Sequence, residues 1–500
     1  MVSDTARAES RSSLMLSFHC RESHSRVEEI GWIAPETVFA PLADQPGALW
    51  LDSSDNEHPA GRYSFIMADA EQVIVKQADA AEAGFEHIDR LLRARADAWC
   101  NLPPDMDAML PPFRGGIAGM LAYDLGAGLD SAMQMQAEDR FGLPAMALGI
   151  YHSVLAFDHQ QNRCFILLSG DGDGEKAEAA LHAWHNRLAR AHRNVLVDDN
   201  LNAPQLADAL HSNFSRQKYE TTVQNIIDRI LAGEIFQANL AQCFSAGLAA
   251  TDTGFAYYCR LRRISPAPFS AYGCFGDFAL ASASPERFLQ CRDNLVETRP
   301  IKGTMPRLPD AKADRQIAET LLASEKDRAE NVMIVDLLRN DLARACADGT
   351  IEVPQLCALE SFSNVHHLVS TVRGRLAEGK TAANVMRACF PGGSITGAPK
   401  IRAMQVIDQL EPMRRGPFYG SLCWLGFDGR MDSNILIRTA LLRGRDVSFQ
   451  AGGGIVADSQ PAIEYQETLN KARGLALALG EDIDRFAAPA SLAVLSEPAG

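Results

Sequence analysis

Residues 298–307 read T-R-P-I-K-G-T-M-P-R. They end a block of strand-like sequence that follows Gly233, and they precede helical text over about 313–346 and about 397–410. Further strand-like segments come next, and a last helix is expected over about 461–479. Strands grouped with helices, rather than strictly alternating with them, give an α+β fold. The stretch also raises a chemical question. Pro300 fixes one backbone torsion and Gly303 permits a sharp bend or a close approach, so a tight turn is expected around Lys302. A solvated lysine needs neither residue, although taken alone Lys302 is expected to point into water.

Outward from this point the chain divides by texture. Residues 1–26 form a polar tail rich in Ser and Arg, 27–170 an N-terminal region of short β-prone runs, and 171–213 a linker. Residues 214–482 form the second region, opened by an amphipathic helix over Tyr219–Ala232, and 483–500 an Ala/Ser/Pro-rich tail. Five hundred residues with 47% hydrophobic content can bury a large core. Forty-eight basic against 63 acidic side chains give a net charge of −15. That balance disfavours nucleic-acid and anionic-membrane binding, while leaving room for a local basic site that takes a small anion. No run approaches the ~20 apolar residues of a membrane span, and Leu14–Leu16 is too short for a signal-peptide core. Eleven cysteines without a C-x-x-C pair fit a reducing cytoplasm.

Two acidic pairs stand at helical spacing. Asp327 and Glu330 are three residues apart in helical text, as are Glu464 and Glu467 in the last helix. Like charges on one helix face cost stability unless a cation or water compensates them, and Mg²⁺ takes one or two carboxylates while keeping waters. Solvated acidic faces are the plainer reading. Q-A-G-G-G-I-V at 450–456 runs a strand into three glycines, whose backbone N–H groups can face a carboxylate or phosphate. F-P-G-G-S-I-T-G-A-P-K at 390–400 is a second glycine-rich loop, with Pro399 near the first turn of the following helix. Neither has the spacing of a nucleotide motif. Arg438, in I-L-I-R-T-A-L, sits in text that reads as buried strand and would need an anionic partner there.

The C-terminal part of the chain resembles the chorismate-binding enzyme family, which includes anthranilate, aminodeoxychorismate, isochorismate and salicylate synthases. The resemblance is carried by S-P-E-R-F at 284–288, P-I-K-G-T at 300–304 and K-D-R-A-E-N-V-M-I-V-D-L-L-R-N-D at 326–341. It continues in H-H-L-V-S at 366–370, the loop at 390–400, and A-G-G-G-I-V-A-D-S through E-T-L-N-K-A-R at 451–473. L-D-S-S at 51–54 and F-R-G-G-I-A-G-M-L-A-Y-D-L-G at 113–126 extend it to the amino-transferring members.

The resemblance implies an anthranilate synthase component I-like fold, two packed antiparallel β-sheets with helices outside. It implies Mg²⁺ ligands at Glu330 and Glu467, with Asp327 and Glu464 acting through metal-bound water. Chorismate would be held by Gly303, Thr304, Tyr419, Arg438, Gly452, Gly453, Gly454 and Lys471, with Ser394 at a hydroxyl position and His367 as the site histidine. Glu286 would be the general acid that protonates the departing C4 hydroxyl. Where the water-using members carry a lysine base, this chain has Gln237, so ammonia is the expected nucleophile. Lys302 stands where the C4-aminating members carry a covalent nucleophile and anthranilate synthases typically carry alanine. Its amine would attack C2, and ammonia would then attack C4 and expel the lysine. The family's tryptophan site corresponds to Leu51, Ser53, Arg62, Pro268, Phe269 and Ser270. No Cys-His-Glu glutaminase block occurs, so a separate glutamine amidotransferase subunit is expected to supply ammonia. An anthranilate synthase subunit is the nearest rival, and a non-catalytic chorismate- or tryptophan-binding regulator a remoter one.

Overall fold

A computed structural model describes residues 17–19, 25–99, 102–170, 174–191, 206–362 and 365–487. The polar tail before residue 17, the middle of the expected linker and the tail after 487 lie outside the described residues. Two sheets dominate, one of 13 strands and one of 10, and their strand pairings are antiparallel. The larger sheet runs, edge to edge, through strands beginning at residues 17, 26, 163, 153, 63, 49, 269, 279, 439, 446, 237 and 206. A two-residue strand, Gly397–Ala398, adds onto Gln237–Leu248. The smaller sheet runs from Ile301–Pro306 through Val365–Arg375, Leu295–Thr298, Arg287–Arg292, Met431–Asn434, Ser421–Gly426, Gly116–Leu121 and Met146–Tyr151 to Gln72–Lys76.

Both sheets mix the two regions of the chain. Leu49–Leu51 pairs with Phe269–Cys274 in the first, and Gly116–Leu121 pairs with Ser421–Gly426 in the second. One core joins the sheets, with Leu49, Phe65 and Val154 of the larger sheet meeting Ile117, Leu148, Leu289 and Cys423 of the smaller. The other face of the larger sheet is covered by helices, through Trp184, Tyr219, Val223, Tyr257, Tyr258, Tyr465 and Leu469. Of the stretch 171–213, Gly174–Ala191 is one of those helices and Leu206–Ser212 is an edge strand. The nine described cysteines are free, and no helix among the described residues is long and apolar enough to cross a membrane.

Three elements differ from the sequence expectation. The single helix expected over about 313–346 is two, Ala311–Ala323 and Glu325–Ala343. Ser324 breaks it: its backbone is extended, and its hydroxyl accepts from the Asp327 backbone N–H at 3.2 Å, capping the second helix. The expected turn around Lys302 is a bulged strand. Lys302 pairs with Leu368 and Thr304 with His367, so Gly303 is the extra residue, at φ +74°. Such a bulge re-aims the neighbouring side chains. Arg438 is not inside a buried strand. It precedes Thr439–Arg443 in a left-handed conformation, φ +49°, and is exposed.

Candidate active site

The two acidic helices are fixed by their apolar stripes. Ile334, Leu338 and Leu342, four residues apart, are at most 3% exposed. Burying each is worth about 1.5–3 kcal/mol, which seats Glu325–Ala343 and leaves Asp327 and Glu330 on its first turns beside the bulge. A Cβ on Gly303 would lie 2.9 Å from Asp327 Cγ and 2.8 Å from Leu321 Cδ1, so the strand needs glycine there on both conformation and space. In Pro461–Leu477, Tyr465, Leu469, Ala472 and Ala476 face the core. Glu464, Glu467 and Lys471 fall on the adjoining stripe, next to the glycine strand. A Cβ on Gly453 would be 3.3 Å from Glu467 Oε1 and 3.4 Å from Glu464 Oε2.

Lys302 Nζ donates to the Ser394 carbonyl oxygen at 3.4 Å, and Ser394 Oγ donates to Glu286 Oε1, also at 3.4 Å. This brings together three segments distant in the chain: the bulged strand, the turn after Ala279–Ser284, and the short helical turn Gly393–Ile395. Burial pushes the Glu286 carboxyl up to about 7, against the pull of Lys302 and the Ser394 hydroxyl. Burial lowers Lys302, assisted by Lys471 and opposed by Glu330, Glu286 and Glu467. An acid poised near neutrality therefore stands beside an amine biased toward its neutral form.

The carboxylates are in mutual electrostatic range. Burial raises Glu330, and Asp327 and Glu467 add to that while Lys302 and Lys326 oppose it. Burial also raises Glu464, and Glu467 adds to it. Burial works the same way on Glu467, but Lys471, 2.6 Å away, outweighs it and holds this carboxyl low. Asp327 accepts from Ser324 Oγ at 2.5 Å, and Glu464 from Ser459 Oγ at 2.6 Å. Among the described residues no three His, Cys, Asp or Glu side chains form a ready-made metal cage. The set nevertheless fits Mg²⁺: all donors are carboxylate oxygens, their charge is incompletely compensated, and Mg²⁺ completes its shell with waters and a bound anion.

Around them lie the remaining expected residues. Thr304 Oγ1 and His367 Nδ1 are 2.8 Å apart. Burial, with Arg438 nearby, pushes His367 down to about 4, so it is neutral at pH 7. Among the described residues no hydrogen bond or ion pair holds the Arg438 guanidinium. Lys471 also donates to the Gly452 carbonyl at 2.9 Å. Tyr419 takes a left-handed backbone, φ +64°, and its hydroxyl is raised by burial with Glu467 and Glu286 in electrostatic range. Gln237 is fully buried, neither polar atom of its amide is hydrogen-bonded, and Nε2 lies 2.3 Å from where a Gly454 Cβ would stand. The glycine at 454 makes that approach possible.

The residues matched to the tryptophan site do not join this pocket. Leu51, Ser53, Arg62, Pro268, Phe269 and Ser270 line a separate cavity of about 440 Å³. In it Ser53 Oγ donates to the Tyr63 and Pro268 carbonyls, and Arg62 is paired with Asp158 at 2.7 Å. Sequence reasoning missed a buried ion pair beside Tyr419, Glu411–Arg415 at 2.8 Å. The signal available was two opposite charges four apart in E-P-M-R-R, which reads equally well as a surface pair.

A family model described as chorismate binding enzyme matches residues 47–476. The aminodeoxychorismate synthase component 1 of Salmonella typhimurium is 40% identical over 447 residues, covering 88% of this chain and 94% of the relative. The anthranilate synthase component 1 of Thermus thermophilus is 38% identical over 450 residues, covering 89% and 95%. Among solved structures, anthranilate synthase component I from Streptococcus pneumoniae superposes with a TM-score of 0.70 at 31% identity, covering 83% of this chain and 92% of that one. The two-sheet α+β architecture is thus the one expected from the sequence motifs.

Proposed function

Since the chain belongs to the chorismate binding enzyme family, we propose that it aminates chorismate at C4, giving 4-amino-4-deoxychorismate. The observation that carries this reading is Lys302, joined through Ser394 to Glu286. A lysine amine attacks only when neutral, and desolvation is the standard means of making it so near pH 7. In the reading, Lys302 Nζ forms a bond to C2 of chorismate, both ring double bonds shift one position toward C4, and the C4–O bond breaks. Hydroxide is a poor leaving group, and Glu286, raised to about 7 by burial, donates the proton that lets it depart as water. Ammonia then bonds to C4, both double bonds return to their original positions, and the C2–N bond to Lys302 breaks, with the surplus proton leaving the new amine. Gln237 offers an amide where a water-activating base would be needed, which supports ammonia over water as the nucleophile.

Arg438, Lys471 and the N–H groups around Gly452–Gly454 supply positive charge for the two substrate carboxylates. Glu330 and Glu467 would hold Mg²⁺, with Asp327 and Glu464 behind its waters; when bound, the ion would neutralise substrate anionic charge. The names of the relatives, component 1, support a second component that delivers ammonia, and we assign that role to a glutamine amidotransferase. The 440 Å³ cavity is proposed to take tryptophan.

A second reading is favoured by the Thermus relative, nearly as similar as the Salmonella one: amination at C2, giving anthranilate. Product analysis decides. The protein is incubated with chorismate, Mg²⁺ and ammonium, and a lyase is added to convert any 4-amino-4-deoxychorismate to p-aminobenzoate. p-Aminobenzoate as main product is expected; anthranilate as main product overturns the reading.

A further inference from the structure

The stretch Phe113–Gly126 contributes no side chain to the pocket described above, although it resembles the amino-transferring members. Its Tyr123 is 4% exposed and packs against the Arg415 guanidinium. The Arg415 guanidinium stands over the Tyr123 ring at 4.7 Å and over the Tyr419 ring at 5.0 Å. Arg415 Nε and Nη2 donate to the two Glu411 carboxylate oxygens at 2.9 and 2.8 Å, a bidentate pair whose side chains are 2% and 5% exposed. Nη2 donates also to the Asn239 carbonyl at 2.6 Å, and Nη1 to the Ile395 carbonyl at 3.4 Å. Glu411 Oε1 accepts from the Ala241 backbone N–H at 2.9 Å, and Gln450 Nε2 donates to the Arg415 carbonyl at 2.8 Å.

Four of these contacts end at a proposed substrate contact or one residue or one strand pairing away from it. Ile395 follows Ser394. Asn239 and Ala241 pair with Gly454 and Gly452. Tyr419 is a substrate contact itself in the reading above. A fully buried ion pair is seldom more stabilising than apolar side chains of the same volume, so stability alone does not account for a cation that joins these segments. We propose that Arg415 is a positioning residue: held by Glu411 and clamped between Tyr123 and Tyr419, it sets the orientation of Tyr419 and the placement of the Ser394 turn for chorismate binding. The proposal rests on the reading that Tyr419 and Ser394 line the substrate pocket.

The test uses the whole chain and reads KM and kcat for chorismate separately. Tyr123→Leu removes one side of the clamp without stranding a buried charge, and Tyr123→Phe keeps the ring. A variant that is merely less stable loses active enzyme and so lowers apparent kcat with KM unchanged. A loosened pocket raises KM, and small displacements near a reacting centre cost up to about 100-fold in rate. Tyr123→Leu is expected to raise KM by about tenfold or more, and Tyr123→Phe to restore it to within about twofold of wild type. Should Tyr123→Leu fail to fold, Arg415→Lys takes its place: it keeps the charge but loses the planar fork and the stacking, and the same rise in KM is expected. Tyr419→Ala separates the two levels of the reading. If Tyr419→Ala leaves KM unchanged, the substrate-pocket reading falls. If Tyr419→Ala raises KM while the folded Tyr123→Leu or Arg415→Lys protein keeps both constants within twofold of wild type, the positioning proposal is overturned and the pocket reading stands.

Discussion

Glu286→Gln is expected to make the protein more stable and nearly inactive, and the stability gain is expected to depend on pH. The carboxyl is raised from 4.5 to about 7 by burial. A tenfold change in acidity corresponds to about 1.36 kcal/mol, so ionising Glu286 in the folded protein costs about 3 kcal/mol relative to the unfolded chain. The sign follows from the raised value. Below pH 4.5 the group is protonated in both states and contributes no penalty. Between 4.5 and 7 the unfolded chain releases the proton while the folded one keeps it, so stability falls as pH rises. Above 7 the full penalty is present. Glutamine has the same shape, can keep the contact with Ser394 Oγ, and never ionises. A chain of 500 residues unfolds with an entropy near 1 kcal/mol/K, scaled from about 2.1 cal/mol/K per residue. The variant is therefore expected to melt about 3 °C above wild type at pH 8 and to match it at pH 4.5, measured at one scan rate. Its amination rate is expected to drop at least ~100-fold, the usual scale for a missing general acid. Wild-type kcat/KM should likewise decline above about pH 7 as Glu286 loses its proton. An equal melting difference at both pH values would refute the burial argument, and full activity in Glu286→Gln would refute the acid role.

Lys302→Ala is expected to lower ammonia-dependent C4 amination at least ~100-fold by chromatography of the product, and Lys302→Arg should not rescue it, because guanidinium stays protonated. Glu330→Gln and Glu467→Gln are each expected to cost at least ~100-fold in Mg²⁺-dependent turnover with folding retained by circular dichroism; unchanged turnover across a Mg²⁺ titration would remove both from the metal site. Gly303→Ala places a Cβ against Asp327 and Leu321 at a φ that costs about 1–2 kcal/mol outside glycine, so a melting point lower by roughly 1–2 °C and reduced turnover are expected. The purified chain is expected to use ammonium and not glutamine, with glutamine use appearing when an amidotransferase subunit is added; glutamine turnover by the chain alone would contradict the missing glutaminase block.

Much of the candidate site is named in the sequence through the family resemblance, because its motifs are short, unusual segments; taken alone, the acidic pairs read as solvated faces and Lys302 as a solvated lysine. Three consecutive glycines, carboxylates three apart on a helix and a lysine before Gly303 become informative once they occur together in the family's order. What stayed hidden was set by distant partners. Ser324 reads as an ordinary helix residue until its hydroxyl caps Asp327, so the helix break was missed. The Lys302 bulge needs the pairing partner, His367 and Leu368, to distinguish it from a turn. Arg438 lies in apolar text that suggests a strand, and its positive φ and its place just before Thr439–Arg443 show that it stands outside one. Glu411 and Arg415 have the spacing of a surface pair, and their burial follows from Tyr123, almost 300 positions earlier in the chain.

The sharing of both sheets by the two regions has a consequence for synthesis on the ribosome. Leu121 ends a strand whose partner, Ser421, comes 300 positions later. At about 5–20 residues per second, the N-terminal strands wait roughly 15–60 s for the segments that complete their hydrogen bonding. Gly116–Leu121 is buried along its whole length in the finished protein, so throughout that interval the nascent chain carries an apolar strand with one edge unpaired. The newborn enzyme is consequently at its most aggregation-prone before the strand at Ser421 emerges, and holdase chaperones that shield such strands should raise its soluble yield more than any gain in the stability of the completed fold.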